Sequence, residues 1–244
     1  MSTDQDGNSI ALYDNTTLFS AESTNINGRY MYHSMDAGRL KGSNNFWMYM
    51  GTGDYERLTA KEASPTDPEF DNLLIGIRDK DFPYYKNVAT VQLADNLDDC
   101  SDTTTDDTGI LCPSSSQRGW VIHLSNAEKV TAEPTLNKGR VLFPIFQPTQ
   151  SVNTCTTGKA LICNVDAKCG TPKNTEIGSA NDLDCLEVGT GVLSKIVVFG
   201  NKLFANIAGE ANVGSSQPGK TDLVSINAAS TIIESFRNSW RENF

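Results

Sequence analysis

Histidine is nearly absent from this chain, with two residues in 244, His33 and His123. No His-Glu-x-x-His helix and no Gly-x-Ser-x-Gly elbow occurs, which removes the commonest metal-hydrolase and serine-hydrolase arrangements. His123 stands mid-strand between Ile122 and Leu124, where a hydrogen-bonded structural role is the expected one. Basic residues are also scarce: 20 Lys and Arg face 30 Asp and Glu, a net charge of −10. Phosphate backbones are bound by clustered Lys and Arg, so nucleic acid is a disfavoured partner. Apolar runs stay far short of the roughly 20 residues of a membrane-spanning helix. The start, Met1-Ser-Thr-Asp-Gln-Asp6, lacks the basic and apolar parts of a signal peptide. The chain therefore reads as a piece of a longer exported protein, or as one whose export information lies elsewhere. No segment suggests a helix of more than a few turns.

Cysteine is present in even number and confined. All six, Cys100, Cys112, Cys155, Cys163, Cys169 and Cys185, fall in the middle of the chain without a Cys-x-x-Cys pair. Such cysteines in Gly, Asn and Thr-rich surroundings fit disulfides formed outside the cytoplasm better than a zinc site. Six cysteines allow about fifteen pairings. Nearest-neighbour pairing is the expectation taken here: Cys100 with Cys112, Cys155 with Cys163, and Cys169 with Cys185. Cys163 tests it most directly, because it sits inside a strand and could be plain core.

The most patterned stretch runs from Gly119 to Gly170. Val121 alternates with His123, Val141 with Phe143 and Ile145, and Leu161 with Cys163 and Val165, the period of half-buried strands. Turn residues at Ser125-Asn126, Asn137-Lys138-Gly139 and Thr156-Thr157-Gly158 separate the runs. Four antiparallel strands in a row make one propeller blade, which cannot bury both faces alone and so implies others. Further strands are expected at Arg29–His33, 46–51, Asn72–Arg78, Leu193–Phe199, Lys202–Ala208 and Leu223–Asn227. The span Leu58–Asn72 holds prolines and carboxylates that suit a surface loop. Polar insertions are expected at Asp95–Gly109 and at 170–190.

The stretch from Gly119 to Gly170 and three other places resemble a known family. Gly119-Trp120, Glu128-Lys129-Val130 before Pro134, Gly139-Arg140-Val141, and Cys155 ahead of a strand ending Val165-Asp166-Ala167 look like the C-terminal β-propeller of the PilY1 type IV pilus proteins. The strand at Trp47 followed by Gly51-Thr52-Gly53, the strand Leu74-Ile-Gly-Ile77-Arg-Asp79, and the closing Ser239-Trp240-Arg241-Glu242 agree with it in order. The resemblance implies an all-β fold, a propeller or partial propeller of about four to five antiparallel blades with long disulfide-bridged loops. Residues 1–244 would be the C-terminal propeller portion of such a protein, without its N-terminal blades or any upstream adhesion domain. It further implies a non-catalytic tip adhesin or pilus assembly factor, exported through the periplasm to the cell surface. Its partners would be minor pilins or other tip proteins, and a host or abiotic surface.

No cofactor is firmly implied, and calcium is the one candidate. Calcium takes six to eight hard oxygen ligands, and the run Asp95, Asp98, Asp99, Asp102, Asp106, Asp107 offers carboxylates. The turn Asp4, Asp6, Asn8 offers a second set and resembles the inner turn of quinoprotein-type propellers. Neither matches the Asp-x-Asp-x-Asp-Gly loop, so a solvated acidic loop and a plain Asx turn are the competing readings. A quinoprotein-type periplasmic oxidoreductase is the alternative function, and a filament-decorating structural protein a third. A quinone site wants a stacking Trp and, in some members, adjacent cysteines. Trp47, Trp120 and Trp240 read instead as packing between blades, with Trp240 expected to be buried on the strands of residues 193–208 as part of a terminal strand or turn.

Overall fold

The computed structural model describes residues 28–54, 71–80, 116–125, 127–149, 158–211 and 223–227. It also describes 2–3, 10–11, 18–22, 91–92 and 97–99, with single residues at 58 and 113. In chain order the strands are β1 (Ser2–Thr3), β2 (Ile10–Ala11), β3 (Phe19–Ser20), β4 (Asp36–Arg39), β5 (Phe46–Gly51), β6 (Leu73–Asp79), β7 (Val91–Gln92), β8 (Leu97–Asp99) and β9 (Gly119–His123). They continue as β10 (Lys129–Val130), β11 (Thr135–Asn137), β12 (Arg140–Gln147), β13 (Lys159–Asp166), β14 (Leu186–Leu193), β15 (Val197–Phe199), β16 (Lys202–Ala211) and β17 (Leu223–Asn227). One 3-10 turn, Asn174–Ile177, is the helical element among the described residues.

The chain is all-β and forms a partial propeller of two large curled sheets. One sheet has the order β4-β5-β6-β9-β8, and the other contains β10 to β17. In the second sheet, β10 and β11 both pair with β12, at Lys129↔Phe146 and at Thr135↔Leu142, so they form one interrupted row. β14 and β15 likewise run in succession along β16, through Leu193↔Ile207 and Val197↔Phe204. The break between them is bridged by Ser194 N donating to the Asn206 carbonyl at 2.9 Å and Asn206 N donating to Ser194 Oγ at 3.0 Å.

Curling brings the two breaks together. Thr131 Oγ1 donates to the Leu193 carbonyl at 3.1 Å and Thr135 Oγ1 to the Ile196 carbonyl at 2.6 Å. Glu133 pairs with Lys195 beside them. Strand breaks leave backbone carbonyls without ladder partners, and hydroxyls from the facing break satisfy them.

Alternation sorts the core into three layers. Trp47, Tyr49, Leu74, Trp120, Val141, Phe143, Ile145, Leu161, Cys163 and Val165 fill the space between the two sheets. Met48, Met50, Leu73, Ile75, Ile77 and Val121 cover the other face of the first sheet. Leu142, Ala160, Ile162, Val188, Leu203, Ile207 and Val224 lie on the far face of the second. Strands buried on both faces read as nearly continuous apolar runs, as Phe46–Gly51 and Arg140–Gln147 do.

Several expectations need correction. The four strands beginning at Gly119 do not share one sheet: β9 pairs with β6, Leu73↔His123 to Ile77↔Gly119, and closes the upstream sheet. The expected strand at Arg29–His33 is irregular backbone. Arg29 has φ +46°, in the left-handed region, and its guanidinium donates to the carbonyls of Ala21, Glu22 and Asp71. The expected strand Leu193–Phe199 is two, and the insertion at 170–190 ends where β14 begins at Leu186. Within the acidic stretch, Leu97–Asp99 is a strand paired parallel to Gly119–Val121.

Candidate functional site: the junction between the sheets

The distinctive motifs meet in space. A Cβ on Gly51 would lie 2.3 Å from Val130 Cγ2, and one on Gly53 2.9 Å from Lys129 Cβ. Only glycine lets the end of β5 lie this close to β10. Val130 N donates to the Thr52 carbonyl at 3.2 Å, and Thr52 N to the Leu73 carbonyl at 2.9 Å. Thr52 Oγ1 accepts from Leu73 N at 2.8 Å and donates to Asn72 Oδ1 at 3.2 Å. Asn72 Nδ2 donates to the Glu128 carbonyl at 2.7 Å, while its own carbonyl accepts from Leu124 N at 2.8 Å. Gly51-Thr52-Gly53 and Glu128-Lys129-Val130 are thus the two halves of one clasp, with Asn72 as its pin.

Glu128 sits in that clasp almost fully buried. Burial pushes its carboxyl up to about 7, against hydrogen bonds from Gln147 and the backbone that favour the charged form. Gln147 Nε2 donates to Glu128 Oε1 at 2.8 Å. The folded chain therefore keeps this proton up to about pH 7, while the unfolded chain releases it near 4.5. More protons are bound folded than unfolded between those values, so stability falls as pH rises through the window and levels off above it. A shift of this size corresponds to at most about 3 kcal/mol. Glu128→Gln is expected to flatten this slope and to exceed the parent stability by about 2 kcal/mol at pH 8, with little difference near pH 4.5. Urea unfolding at the two pH values measures it; a parent equally stable at both would contradict a buried carboxyl.

A second contact holds the sheets face to face. Trp120 Nε1 donates to the Ala167 carbonyl at 3.1 Å, and Tyr49 Oη donates to the same oxygen at 3.0 Å. Burial, with the charges of Asp166 and Asp36, raises the Tyr49 pKa well above its ordinary value, so the hydroxyl remains a donor. Trp47 stacks on Tyr49 with ring centroids 6.2 Å apart, and Phe143 meets Trp120 edge-on at 6.5 Å. Trp47 and Trp120 pack between sheets as their sequence context suggested. Trp240 lies outside the described residues.

Beside the clasp an apolar strip faces outward. Tyr30, Met31, Tyr32 and Met35 are each 43–48% exposed. Both ends of the strip are pinned: Gly53 N donates to the Tyr30 carbonyl at 2.9 Å, and Ser34 Oγ donates to Glu133 Oε2 at 3.0 Å. Large side chains on a fixed backbone can enter an interface with little loss of conformational freedom. Composition alone did not reveal this strip, since Tyr30-Met31-Tyr32 reads equally well as a strand.

The disulfides partly depart from nearest-neighbour pairing. Cys163 is bonded to Cys185, with Cα atoms 4.5 Å apart, so neither Cys155 with Cys163 nor Cys169 with Cys185 is the pairing. The ladder explains it: Ile162 stands opposite Leu186 in β13 and β14, and one step on in antiparallel register Cys163 meets Cys185. That Cα spacing is the one expected of a non-hydrogen-bonded antiparallel pair. Cys169 is also disulfide-bonded, while Cys100, Cys112 and Cys155 lie outside the described residues. The loop closed by Cys163–Cys185 is organised by Arg140, whose Nε and Nη2 donate to Glu176 at 2.9 and 2.8 Å and whose Nη1 reaches Asp166.

Asp98 and Asp99 are in β8, and Asp4, Asp6, Asn8, Asp95, Asp102, Asp106 and Asp107 lie outside the described part. No group of three His, Cys, Asp or Glu side chains converges among the described residues. His123 Nδ1 stands 3.8 Å from Asp71 Oδ2. Burial lowers the His33 pKa, with Glu133 opposing. The two histidines thus belong to separate local networks. No described helix is long and apolar enough to cross a membrane.

No family model and no curated protein matches this chain. Among solved structures, the Pseudomonas aeruginosa PilY1 C-terminal domain superimposes with a TM-score of 0.53 at 15% identity. The superposition covers 80% of this chain and 46% of that one, so the chain spans just under half the length of its structural relative. The chain shares the fold of part of the PilY1 C-terminal domain.

Proposed function

We propose that this protein is a non-catalytic, pilus-associated binding module, exported through the periplasm and acting at the tip of a type IV pilus as an adhesin or assembly factor. The observation that supports the reading is the fold likeness to the PilY1 C-terminal domain over 80% of this chain, beside sequence motifs resembling PilY1 proteins that fall in the clasp and seam. Binding is assigned to side chains displayed on that rigid β scaffold, with the strip Tyr30, Met31, Tyr32 and Met35 as the leading surface. Tyrosine and methionine are enriched in protein interfaces, where they supply large contact area. Minor pilins are the proposed partners, with a host or abiotic surface as the outward target.

Immobilised protein is expected to capture minor pilins, and Tyr30→Ser/Tyr32→Ser/Met35→Ser is expected to weaken capture at least about tenfold while leaving the melting temperature within about 2 °C, since the replaced side chains are half-exposed. Capture unaffected by the triple change would move the binding surface elsewhere. Absence of capture, together with a bound quinone chromophore and dye-linked turnover after reconstitution with quinone and calcium, would replace the reading with an oxidoreductase.

A further inference from the structure

The turn that carries Glu128 passes from solvent to the buried clasp within a few residues. Ser125 is exposed, Ala127 half-buried and Glu128 buried. Glu128 N donates to the Ser125 carbonyl at 3.0 Å and closes the turn. Ala127 is held at φ +55°, a left-handed conformation that any residue with a Cβ adopts at a cost. Moving the Glu128 carboxyl into water therefore begins with the relaxation of one strained turn at the surface.

What this turn holds reaches the exposed strip through a short series of hydrogen bonds. The Glu128 carbonyl accepts from Asn72 Nδ2 at 2.7 Å. Val130 N donates to the Thr52 carbonyl at 3.2 Å, and Gly53 N donates to the Tyr30 carbonyl at 2.9 Å, where the strip begins. Charged groups surround the clasp on each element packed against it. Lys129 follows Glu128 and lies against Gly53, with Asp54 next in that chain segment. Asp71 and His123 face each other beside Asn72, and Lys159 stands opposite Gln147 in β13, paired with Glu187 at 2.8 Å. His33, Glu133 and Lys195 stand at the far end of the strip. The Glu128 carboxyl is raised all the same, with burial as the largest cause, so neither Lys129 nor Lys159 compensates its charge.

We infer that the turn Ser125–Glu128 is a pH-operated latch: loss of the Glu128 proton draws the carboxyl out to water, opens the clasp and unpins the strip at Tyr30. A neutral carboxyl can stay in the buried site. A charged one is hydrated only by leaving it, so ionisation and opening are linked. With this group titrating at about 7 in the closed clasp and near 4.5 once exposed, the open fraction rises about thirtyfold between about pH 5.5 and about pH 8.5. The latch belongs to the clasp and does not depend on the pilus reading.

Hydrogen exchange on the intact chain tests it, at those two pH values and corrected for the intrinsic pH dependence of exchange. The Gly53 and Val130 amides report the opening, since their acceptors are the Tyr30 and Thr52 carbonyls. Both are expected to open about thirtyfold more at the higher pH, more readily than the amides of β13, and without response to urea below about 1 M, as a local opening does. Glu128→Gln is expected to hold the opening at one value across the range. Equal opening at both pH values in the parent would overturn the proposal. A rise that persists in Glu128→Gln would transfer the response to another group, such as His123, and overturn it too. A rise with the urea dependence of β13 would mean global unfolding, which overturns the latch and leaves only the effect of Glu128 on overall stability.

Discussion

Replacing Trp120 by Ala is expected to cost about 3–5 kcal/mol, the range for a large aromatic deleted from a core, and to lower the melting temperature by roughly 10 °C in a chain of this length. Trp120 is fully buried between the sheets. It lies over Gly76, whose hypothetical Cβ would sit 2.3 Å from Trp120 Cε2, and under Gly170, whose Cβ would sit 2.7 Å from Cδ2. Two backbones therefore form its walls. Walls made of main chain collapse poorly into a void, so the upper part of the range applies. Gly76→Ala supplies the complementary measurement. In the parent it forces a methyl into the indole and is expected to cost about 2 kcal/mol. In a Trp120→Ala background the methyl enters the cavity instead, and the added cost should fall to near zero. A double-mutant cycle reads that coupling directly. Additive costs would mean that the indole does not occupy the space above Gly76.

How far the sequence disclosed this arrangement depends on distance along the chain. Val141, Phe143 and Ile145 alternate and do share one face, because side-chain direction in a strand is set by the next residue but one. Partner choice between strands is another matter. Gly119–His123 looks like the opening of the downstream sheet, yet it pairs with Leu73–Ile77 across more than forty intervening residues. What selects it is the fit of Trp120 to Gly76, a contact that no local pattern encodes. Leu186–Leu193 escaped notice for the opposite reason. Glu187, Gly189, Thr190 and Gly191 give it the composition of a loop, and only its place between β13 and β16 makes it a strand. At the clasp, the Gly51-Thr52-Gly53 and Glu128-Lys129-Val130 motifs were visible as motifs. That they touch, and that Asn72 pins them, required the sheets to be in place.

The Cys163–Cys185 bond shows the same limit, and its removal carries the second large effect. Neighbouring cysteines in sequence compete on loop entropy alone, which changes slowly with loop length; a folded ladder decides by register. Because β13 and β14 set these two residues opposite each other, the bridge forms at a separation of 22 residues. In the chain-entropy account, a loop of that size stabilises by about 3 kcal/mol through the unfolded state. Cys163→Ala/Cys185→Ala is therefore expected to lower the melting temperature by roughly 6–12 °C. Cys163 is 2% exposed and packs among Phe143, Leu161 and Val165, so alanine also leaves a small void. The loss should be concentrated in the closed loop. Without the bridge, the 3-10 turn Asn174–Ile177 is still tied to β13 by the Asn164–Lys173 and Asn164–Asn174 hydrogen bonds and by buried Ile177, whereas the half-buried Arg140 fork to Glu176 and Asp166 adds little once the loop is freer to move. Hydrogen exchange across residues 171–184 should accelerate well before β12 and β13 open. If the double variant melts where the parent does, with unchanged exchange across the loop, register alone holds β13 to β14 and the bridge adds nothing to them.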